Sequence, residues 1–185
     1  LCLGLILFGV GEGLLIVSAA GASPWSVLAQ GISLNVSASV GITTIFISII
    51  VLLFWFPLKQ KPGLGTILNA LIIGFMIDFC IKFIPTPESY TSQLLLSITA
   101  VLTVGLGGGI YLVANLGAGP RDGLMIGLQR KTNLPIAVVR SFIEITVMSV
   151  GWYLGGTVGL GTLLFAFGIG PAVALGLFIV GKSFN

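Results

Sequence analysis

The chain has 185 residues, of which 56% are hydrophobic and 7% are charged, and its mean hydropathy is +1.18. A soluble domain carries roughly 25% charged residues, so this composition indicates a single membrane domain over residues 1–185. The formal net charge is +3, with eight basic residues, which is too few for a nucleic-acid-binding surface. We therefore expect the lipid bilayer, and no nucleic acid, among its partners.

The sequence offers little to an enzyme. It contains no histidine, and the two cysteines, Cys2 and Cys80, lie in separate apolar runs. No metal-binding spacing or disulfide framework is visible, and the serines and threonines are scattered without a candidate base. We therefore expect no catalytic residues, no metal, no cofactor and no enzymatic activity.

An internal repeat sets the organisation of the chain. Residues 9–74 align without a gap with residues 105–170, at a constant offset of 96 that relates, for example, Gly9 to Gly105. A repeat of this kind indicates a duplicated structural unit. The predicted boundaries are repeat 1 at residues 1–84, an outer linker at 85–92 and repeat 2 at 93–181.

Apolar segments near the roughly 20 residues that cross a bilayer recur along the chain. In chain order they predict six transmembrane helices, at about residues 3–20, 38–57, 64–84, 93–116, 135–154 and 159–181.

Two shorter segments, 24–35 and 120–131, follow the first and fourth spans. Each begins at a proline, Pro24 or Pro120, and proline suits the first position of a helix. Each is also too short to cross the hydrocarbon core, which is about 30 Å thick. We predict that each is a half-helix that dips into the membrane or lies at its interface.

Each repeat therefore holds three spans, and an odd number inserts the second copy upside down relative to the first. The predicted fold class is an all-α integral membrane protein with six transmembrane helices in two inverted-topology three-helix repeats, each with a short half-helix after its first span. Such repeats with interrupted helices are typical of transporters. With a cytoplasmic N-terminus, seven of the eight basic residues lie inside and Lys82 lies outside, which predicts that both termini are cytoplasmic.

Several long motifs resemble one known family. They are the segments 117–125 (GAGPRDGLM), 139–144 (VRSFIE), 155–165 (GGTVGLGTLLF) and, in the first repeat, 62–70 (PGLGTILNA). Together they are similar to the YczE-like membrane proteins, grouped with YitT-like proteins, over essentially the whole chain. The resemblance implies a multi-pass protein of the bacterial cytoplasmic membrane and implies no particular activity.

Two of the five acidic residues, Glu12 and Glu144, lie about ten residues into predicted spans one and five. At a rise of 1.5 Å per residue, each carboxyl would sit roughly 15 Å deep, near the middle of the hydrocarbon core. An ionisable group there is costly and is by default a functional candidate: a proton relay, a cation ligand or a substrate anchor. The alternative is a protonated side chain that donates one structural hydrogen bond between helices.

Arg140 lies four residues before Glu144, so the two side chains share one face of the fifth span. They either contribute to a binding site or form a local ion pair that lowers the cost of burial. Asp78 and Lys82 have the same spacing near the outer end of the third span. A structural pair is favoured there, because the lysine can reach the interface.

The segment 117–123 is the sharpest motif. Glycines end the fourth span, Pro120 begins the half-helix, and Arg121 and Asp122 follow it. Free backbone N–H groups and a guanidinium at a helix start favour an anion; the alternative is a tight turn with a basic anchor. The predicted substrate-binding residues are Arg121, Asp122, Arg140, Glu144, Glu12 and Trp25, and the half-helix motif comprises Gly117, Gly119, Pro120, Gly21 and Pro24.

The leading functional hypothesis is a small-solute transporter or channel. Arg121 and Arg140 would bind an anionic group of an unknown small solute, and Glu144 with Glu12 would bind or exchange a proton. A variant is a substrate-capture subunit that depends on a separate ATPase.

A second class of function is a non-transporting accessory or regulatory protein that binds another membrane protein. A basic patch of Arg121, Arg130 and Lys131 would then be its docking site. The small size of the chain and its glycine-rich helix faces are also compatible with a homodimer.

Overall fold

A computed structural model describes residues 1–183, with side chains through Gly181, and every element in that part of the chain is an α-helix. The predicted basic residue Lys182 lies outside the described side chains. The helices are α1 (Cys2–Val17), α2 (Pro24–Val36), α3 (Val40–Trp55), α4 (Leu64–Phe83), α5 (Tyr90–Val113), α6 (Pro120–Thr132), α7 (Ile136–Tyr153) and α8 (Leu160–Ser183).

The helices lie where the apolar segments predict them. Four of them, α4, α5, α7 and α8, are long and apolar enough to cross a membrane, and the bent pair of α2 and α3, with 112° between the helices, makes a fifth candidate if it is counted as one span. Helix α1 is apolar but has only 16 residues. The all-helical membrane fold is therefore confirmed, whereas the count of six spans stays a prediction.

The centre of the protein is formed by α1 and α5, which pack along each other. Helix α1 also packs along α4, and α5 packs along α8. Glycines allow these approaches: a Cβ atom at Gly9 would lie 2.7 Å from the Cβ of Met76, and one at Gly109 would lie 2.6 Å from the carbonyl carbon of Gly176. Small residues let helix backbones approach closely.

The turns before α2 and α6 are built alike. Gly21 and Gly117 have φ angles of 120° and 117°, in a region that a side chain rarely adopts. Each turn also accepts a hydrogen bond from the helix start of the other repeat: Gly161 N–H donates to the Ala20 carbonyl and Gly65 N–H to the Leu116 carbonyl, both at 2.8 Å. The repeated sequence is thus matched by repeated contacts, and these contacts fix where α2 and α6 begin.

One corresponding pair of interfaces differs between the repeats. Helix α3 packs along α4, whereas α7 and α8 are not among the helix pairs that pack closely in the described part of the chain. The prediction that Asp78 pairs with Lys82 is wrong. Asp78 instead accepts hydrogen bonds from the N–H of Gly41 and the hydroxyl of Ser39, because these donors at the exposed start of α3 face the carboxylate across the interface.

Candidate functional site

The starts of the two short helices meet inside the protein. Pro24 is the first residue of α2 and Pro120 is the first residue of α6, as predicted. The next residue in each helix is Trp25 or Arg121, and the guanidinium carbon of Arg121 lies 5.3 Å from the centre of the Trp25 ring. These two residues occupy the same position in the repeat, so the two copies touch at equivalent points, through a cation–π contact.

Backbone donors at this meeting point are unpaired. The N–H groups of Trp25 and Ser26, and of Arg121 and Asp122, have no hydrogen-bond acceptor within residues 1–183. Ser23 is the N-cap residue of α2, but its side chain does not cap the helix. Two helix starts with free N–H groups produce a positive potential that favours an anion.

A cavity of about 270 Å³ lies beside this meeting point. It extends between α7 and α8, with Phe165 and Ile169 of α8 on its apolar side. The structure brings all six predicted substrate-binding residues to its wall: Glu12, Trp25, Arg121, Asp122, Arg140 and Glu144. That they bind a substrate stays a prediction, but they form one site rather than several.

Glu12 is held by its neighbours. Its side chain is 1% exposed, and its Oε2 accepts hydrogen bonds from the hydroxyls of Ser23, at 2.7 Å, and Ser26, at 2.6 Å. These serines flank Pro24 at the start of α2. The glutamate therefore fixes the start of α2 against α1, and its burial is compensated by hydrogen bonds, as a buried polar group requires.

Arg140 and Glu144 form the expected pair on α7. The Nε of Arg140 donates to Oε1 of Glu144 at 2.8 Å, and this is the single ion pair in the described part of the chain. The arginine side chain keeps 49% of its surface exposed. Only one of its five donors is engaged, so the others remain free for a ligand in the cavity.

Arg121 and Asp122 are not paired with each other or with any other side chain by a hydrogen bond in residues 1–183. Asp122 belongs to α6, which is outside the candidate spans. Desolvation by the surrounding protein raises the pKa of the Asp122 carboxyl although the residue is exposed, and the neighbouring Arg140 and Arg121 oppose that rise. The guanidinium of Arg121 thus faces the cavity without a bonded counterion.

Trp25 adds a further unpaired donor. Its side chain is 6% exposed, and its Nε1 is the one buried side-chain nitrogen or oxygen without a partner among the described residues. Buried polar groups are nearly always hydrogen-bonded. An unsatisfied indole N–H in a residue that lines the cavity therefore points to an acceptor supplied by a bound molecule or water.

A second, smaller cavity of about 60 Å³ lies on the α3–α4 side of the same meeting point. Thr44 and Ser48 line it, and they are the first-repeat counterparts of Arg140 and Glu144 at the offset of 96. Arg121 and Asp122 line both cavities. Phe8 and Tyr111 also line both, so these two aromatic and two charged residues lie between the cavities.

Some contacts of the site are not predicted by the sequence. Ser23 and Ser26 were not among the expected site residues, although a buried glutamate needs donors and hydroxyls at a nearby helix start are a usable signal. Trp55, which donates from Nε1 to the Pro120 carbonyl at 2.9 Å, is distant in sequence and gives no such signal. Arg121 lies in the cavity, whereas Arg130 and Lys131 are exposed at the far end of α6, so these three do not form one docking patch.

Comparison with known proteins places the chain in a family. The model of a family of unknown function, DUF6198, matches residues 1–177. The chain belongs to this family. It is 42% identical to an uncharacterized protein of Haemophilus influenzae, over 98% of the chain and 84% of that protein.

The YczE-like resemblance is confirmed by a second relative. The chain is 34% identical to the uncharacterized membrane protein YczE of Bacillus subtilis, over 88% of the chain and 77% of that protein. It is also 29% identical to the uncharacterized protein YyaS of the same organism, over 88% of the chain and 83% of the relative. No solved structure matches the chain. The protein is thus a multi-pass membrane protein of the YczE-like family.

Proposed function

We propose that this protein is a transporter or channel for a small anionic solute in the bacterial cytoplasmic membrane. The observation that carries the proposal is the contact of Trp25 with Arg121 between two cavities that share Arg121 and Asp122. A solute that passes from one cavity to the other must pass these residues.

The matched contacts of the repeats support an inverted six-span arrangement. The hydroxyl of Ser97 donates a hydrogen bond to the hydroxyl of Ser18 at the end of α1. Ser97 is seven residues after the first residue of α5. At 1.5 Å per residue, α1 therefore ends about 10 Å below the start of α5. The short turn after α1 then places the start of α2 within the membrane, in keeping with a re-entrant half-helix. In this arrangement both termini are cytoplasmic.

Recognition of an anion is supported by the surplus of donors. The residues that carry these donors line the larger cavity: Trp25, with its unpaired indole N–H, and Arg121 and Asp122 at the start of α6. Carboxylate, phosphate or sulfonate oxygens are the acceptors that such donors bind most strongly. Arg121 is the primary ligand-binding residue in this proposal, and Arg140 is the second.

The two glutamates have different parts in the proposal. Glu12 is engaged by two hydroxyls and orders the start of α2. Glu144 is held by Arg140 alone, near the middle of α7. An anion that binds Arg140 would release Glu144, which would then accept a proton. Proton coupling is therefore assigned to Glu144 rather than to Glu12.

The experiment is a ligand screen on the protein in nanodiscs of neutral lipid, read as the shift in unfolding temperature. The panel contains acetate, phosphate, methanesulfonate, decanesulfonate and several amino acids, because ligands that bind the native state raise its stability. We expect anions to stabilise the wild type and to lose their effect in Arg121→Gln. Arg130→Gln, at the exposed end of the same helix, is the matched control and keeps the response.

Two results would redirect the proposal. A flat panel with well-folded protein favours the accessory or regulatory role, in which another membrane protein is the partner. Anion binding that depends on Arg121, without transport by the isolated protein, favours the substrate-capture subunit, and an ATPase that co-purifies would support it.

A further inference from the structure

The interface between α3 and α4 is closed by three residues. Gly41 and Gly74 pack so closely that a Cβ atom on Gly41 would overlap the Gly74 carbonyl oxygen. Asp78, one turn further along α4, accepts from the N–H of Gly41 at 2.7 Å and from the hydroxyl of Ser39. This side of the protein therefore lacks room for more than the cavity of about 60 Å³.

The equivalent interface in the second repeat lacks these features. At the offset of 96, Gly41 is replaced by Ala137 and Ser39 by Pro135, and four residues beyond the aligned segments the position of Asp78 corresponds to Ala174. Gly74 is matched by Gly170, but a Cβ atom on Gly170 would meet nothing within 4 Å. The carboxylate that bonds α4 to the start of α3, here called the Asp78 latch, has no counterpart, and one of the two contact glycines is missing as well. Within residues 1–183, helices α7 and α8 are therefore not packed closely together.

The gap between α7 and α8 is continuous with the larger cavity. Arg140 and Glu144 of α7 line that cavity on one side, and Ile169, Gly170 and Val173 of α8 line it on the other. Both helices are long and apolar enough to span the membrane. A gap between two spanning helices faces lipid, so a molecule can reach the cavity from within the bilayer.

The two ends of the cavity differ in chemistry. Toward the helix starts it is lined by Arg121, whose guanidinium has no bonded counterion, and by Trp25, whose buried indole N–H is unpaired. Toward the gap the α8 side of its wall is apolar, with Phe165, Ile169 and Val173, while the Arg140–Glu144 ion pair lies on the α7 side. A volume of about 270 Å³ is at the low end for a small-molecule pocket, so it holds a polar headgroup and leaves an attached chain to extend between the helices.

We propose that the ligand of this site is a single-chain anionic amphiphile, which enters laterally from the bilayer between α7 and α8 with its headgroup directed to Arg121. This inference rests on the proposed anion site and adds the apolar chain and the route. It assigns to Gly170 the role of keeping the entrance open.

The test compares two probes with the same headgroup, methanesulfonate and decanesulfonate, binding to the protein in neutral-lipid nanodiscs. Protein-free nanodiscs give the background from partitioning of the chain. Decyltrimethylammonium, which partitions similarly but carries the opposite charge, controls for non-specific apolar binding. We expect saturable decanesulfonate binding above background and none for the cation. Binding of decanesulfonate and decyltrimethylammonium to the same extent would contradict the proposal that the site selects an anionic headgroup.

The entrance is tested with Gly170→Leu, and Gly181→Leu on the same helix is the matched control, because both positions have open space for a side chain. We expect Gly170→Leu to raise the dissociation constant of decanesulfonate about tenfold or more. Gly170→Leu should leave methanesulfonate binding unchanged, and Gly181→Leu should leave the binding of both sulfonates unchanged.

A second variant guards against misfolding, because Gly170 precedes Pro171 in α8 and the residue before a proline is restricted. Val173→Trp fills the same gap, and Leu177→Trp, which does not line the cavity, is its control. Decanesulfonate binding that survives both gap-filling variants overturns lateral entry. If methanesulfonate binds as tightly as decanesulfonate and its binding requires Arg121, the anion site is supported and the proposal of an amphiphilic ligand is wrong. If neither sulfonate binds, both proposals fail.

Discussion

At the scale of single residues, the site depends on how each charge at the cavity wall is satisfied. Glu12 accepts from Ser23 and Ser26, Glu144 accepts from Arg140, and Arg121 rests against Trp25. The first two are compensated inside the protein, whereas Arg121 keeps unused donors. This difference separates a structural carboxylate from a binding residue, although both lie in the same cavity.

Replacement of Glu12 by leucine is expected to destabilise the protein. The hydroxyls of Ser23 and Ser26, which are 2% and 0% exposed by residue, would lose their shared acceptor, and an unsatisfied buried donor costs about 1–3 kcal/mol. Glu12→Gln keeps an oxygen acceptor and should therefore lower the stability less than Glu12→Leu does. Unfolding in detergent measures both, with Glu88→Leu in the exposed linker as the control; equal stability of Glu12→Leu and wild type would contradict the assigned role.

Anion binding is expected to strengthen as the pH falls, in part through Asp122. The protein packed around the carboxyl raises its pKa, so the carboxyl becomes neutral at a higher pH than a freely solvated aspartate and then no longer repels an anion at Arg121. Asp122→Asn should bind methanesulfonate more tightly at high pH.

The same variant should flatten the pH dependence of binding, and titration of methanesulfonate between pH 5 and pH 8 checks this, since the sulfonate itself stays charged. An unchanged pH profile in Asp122→Asn would exclude Asp122 as the titrating group.

At the scale of helices, the asymmetry between α3–α4 and α7–α8 is the most informative feature. Asp78→Ala is expected to loosen the start of α3, because the N–H of Gly41 and the hydroxyl of Ser39 lose their acceptor. Hydrogen exchange at residues 39–43 should accelerate, while exchange in α7 should not change. Lys82→Ala, one turn away and not bonded to Asp78, is the control, and equal exchange in both variants would argue against the latch.

Helix α6 is positioned by a contact that tolerates no side chain. Gly123 lies against the ring of Trp55, which also donates to the Pro120 carbonyl at 2.9 Å. A methyl group in Gly123→Ala would overlap that buried ring and displace the start of α6, so we expect lower stability and weaker anion binding together. Gly181→Ala, in open space, should leave both properties unchanged. Wild-type behaviour of Gly123→Ala in unfolding and ligand titration would show that the ring can move away freely.

At the scale of the whole molecule, much of the helix layout could be predicted because each signal is local. Apolar runs give the long helices, and the prolines at 24 and 120 give the starts of the short ones. The convergence of Trp25 and Arg121 is implied by the repeat but is fixed only by tertiary packing. The gap between α7 and α8 could not be predicted, since a repeat leads one to expect equal interfaces, and the replacement of Gly41 and Asp78 by Ala137 and Ala174 gains meaning only once the first interface is seen.

The most direct measurement of the central claim is uptake of radiolabelled methanesulfonate and decanesulfonate by proteoliposomes. We expect saturable, protein-dependent uptake of at least one of these anions in the wild type. Uptake should be lost in Arg121→Gln and retained in Arg130→Gln. Uptake no greater than in protein-free vesicles for both anions, or uptake that persists unchanged in Arg121→Gln, would contradict a path through the meeting point of α2 and α6.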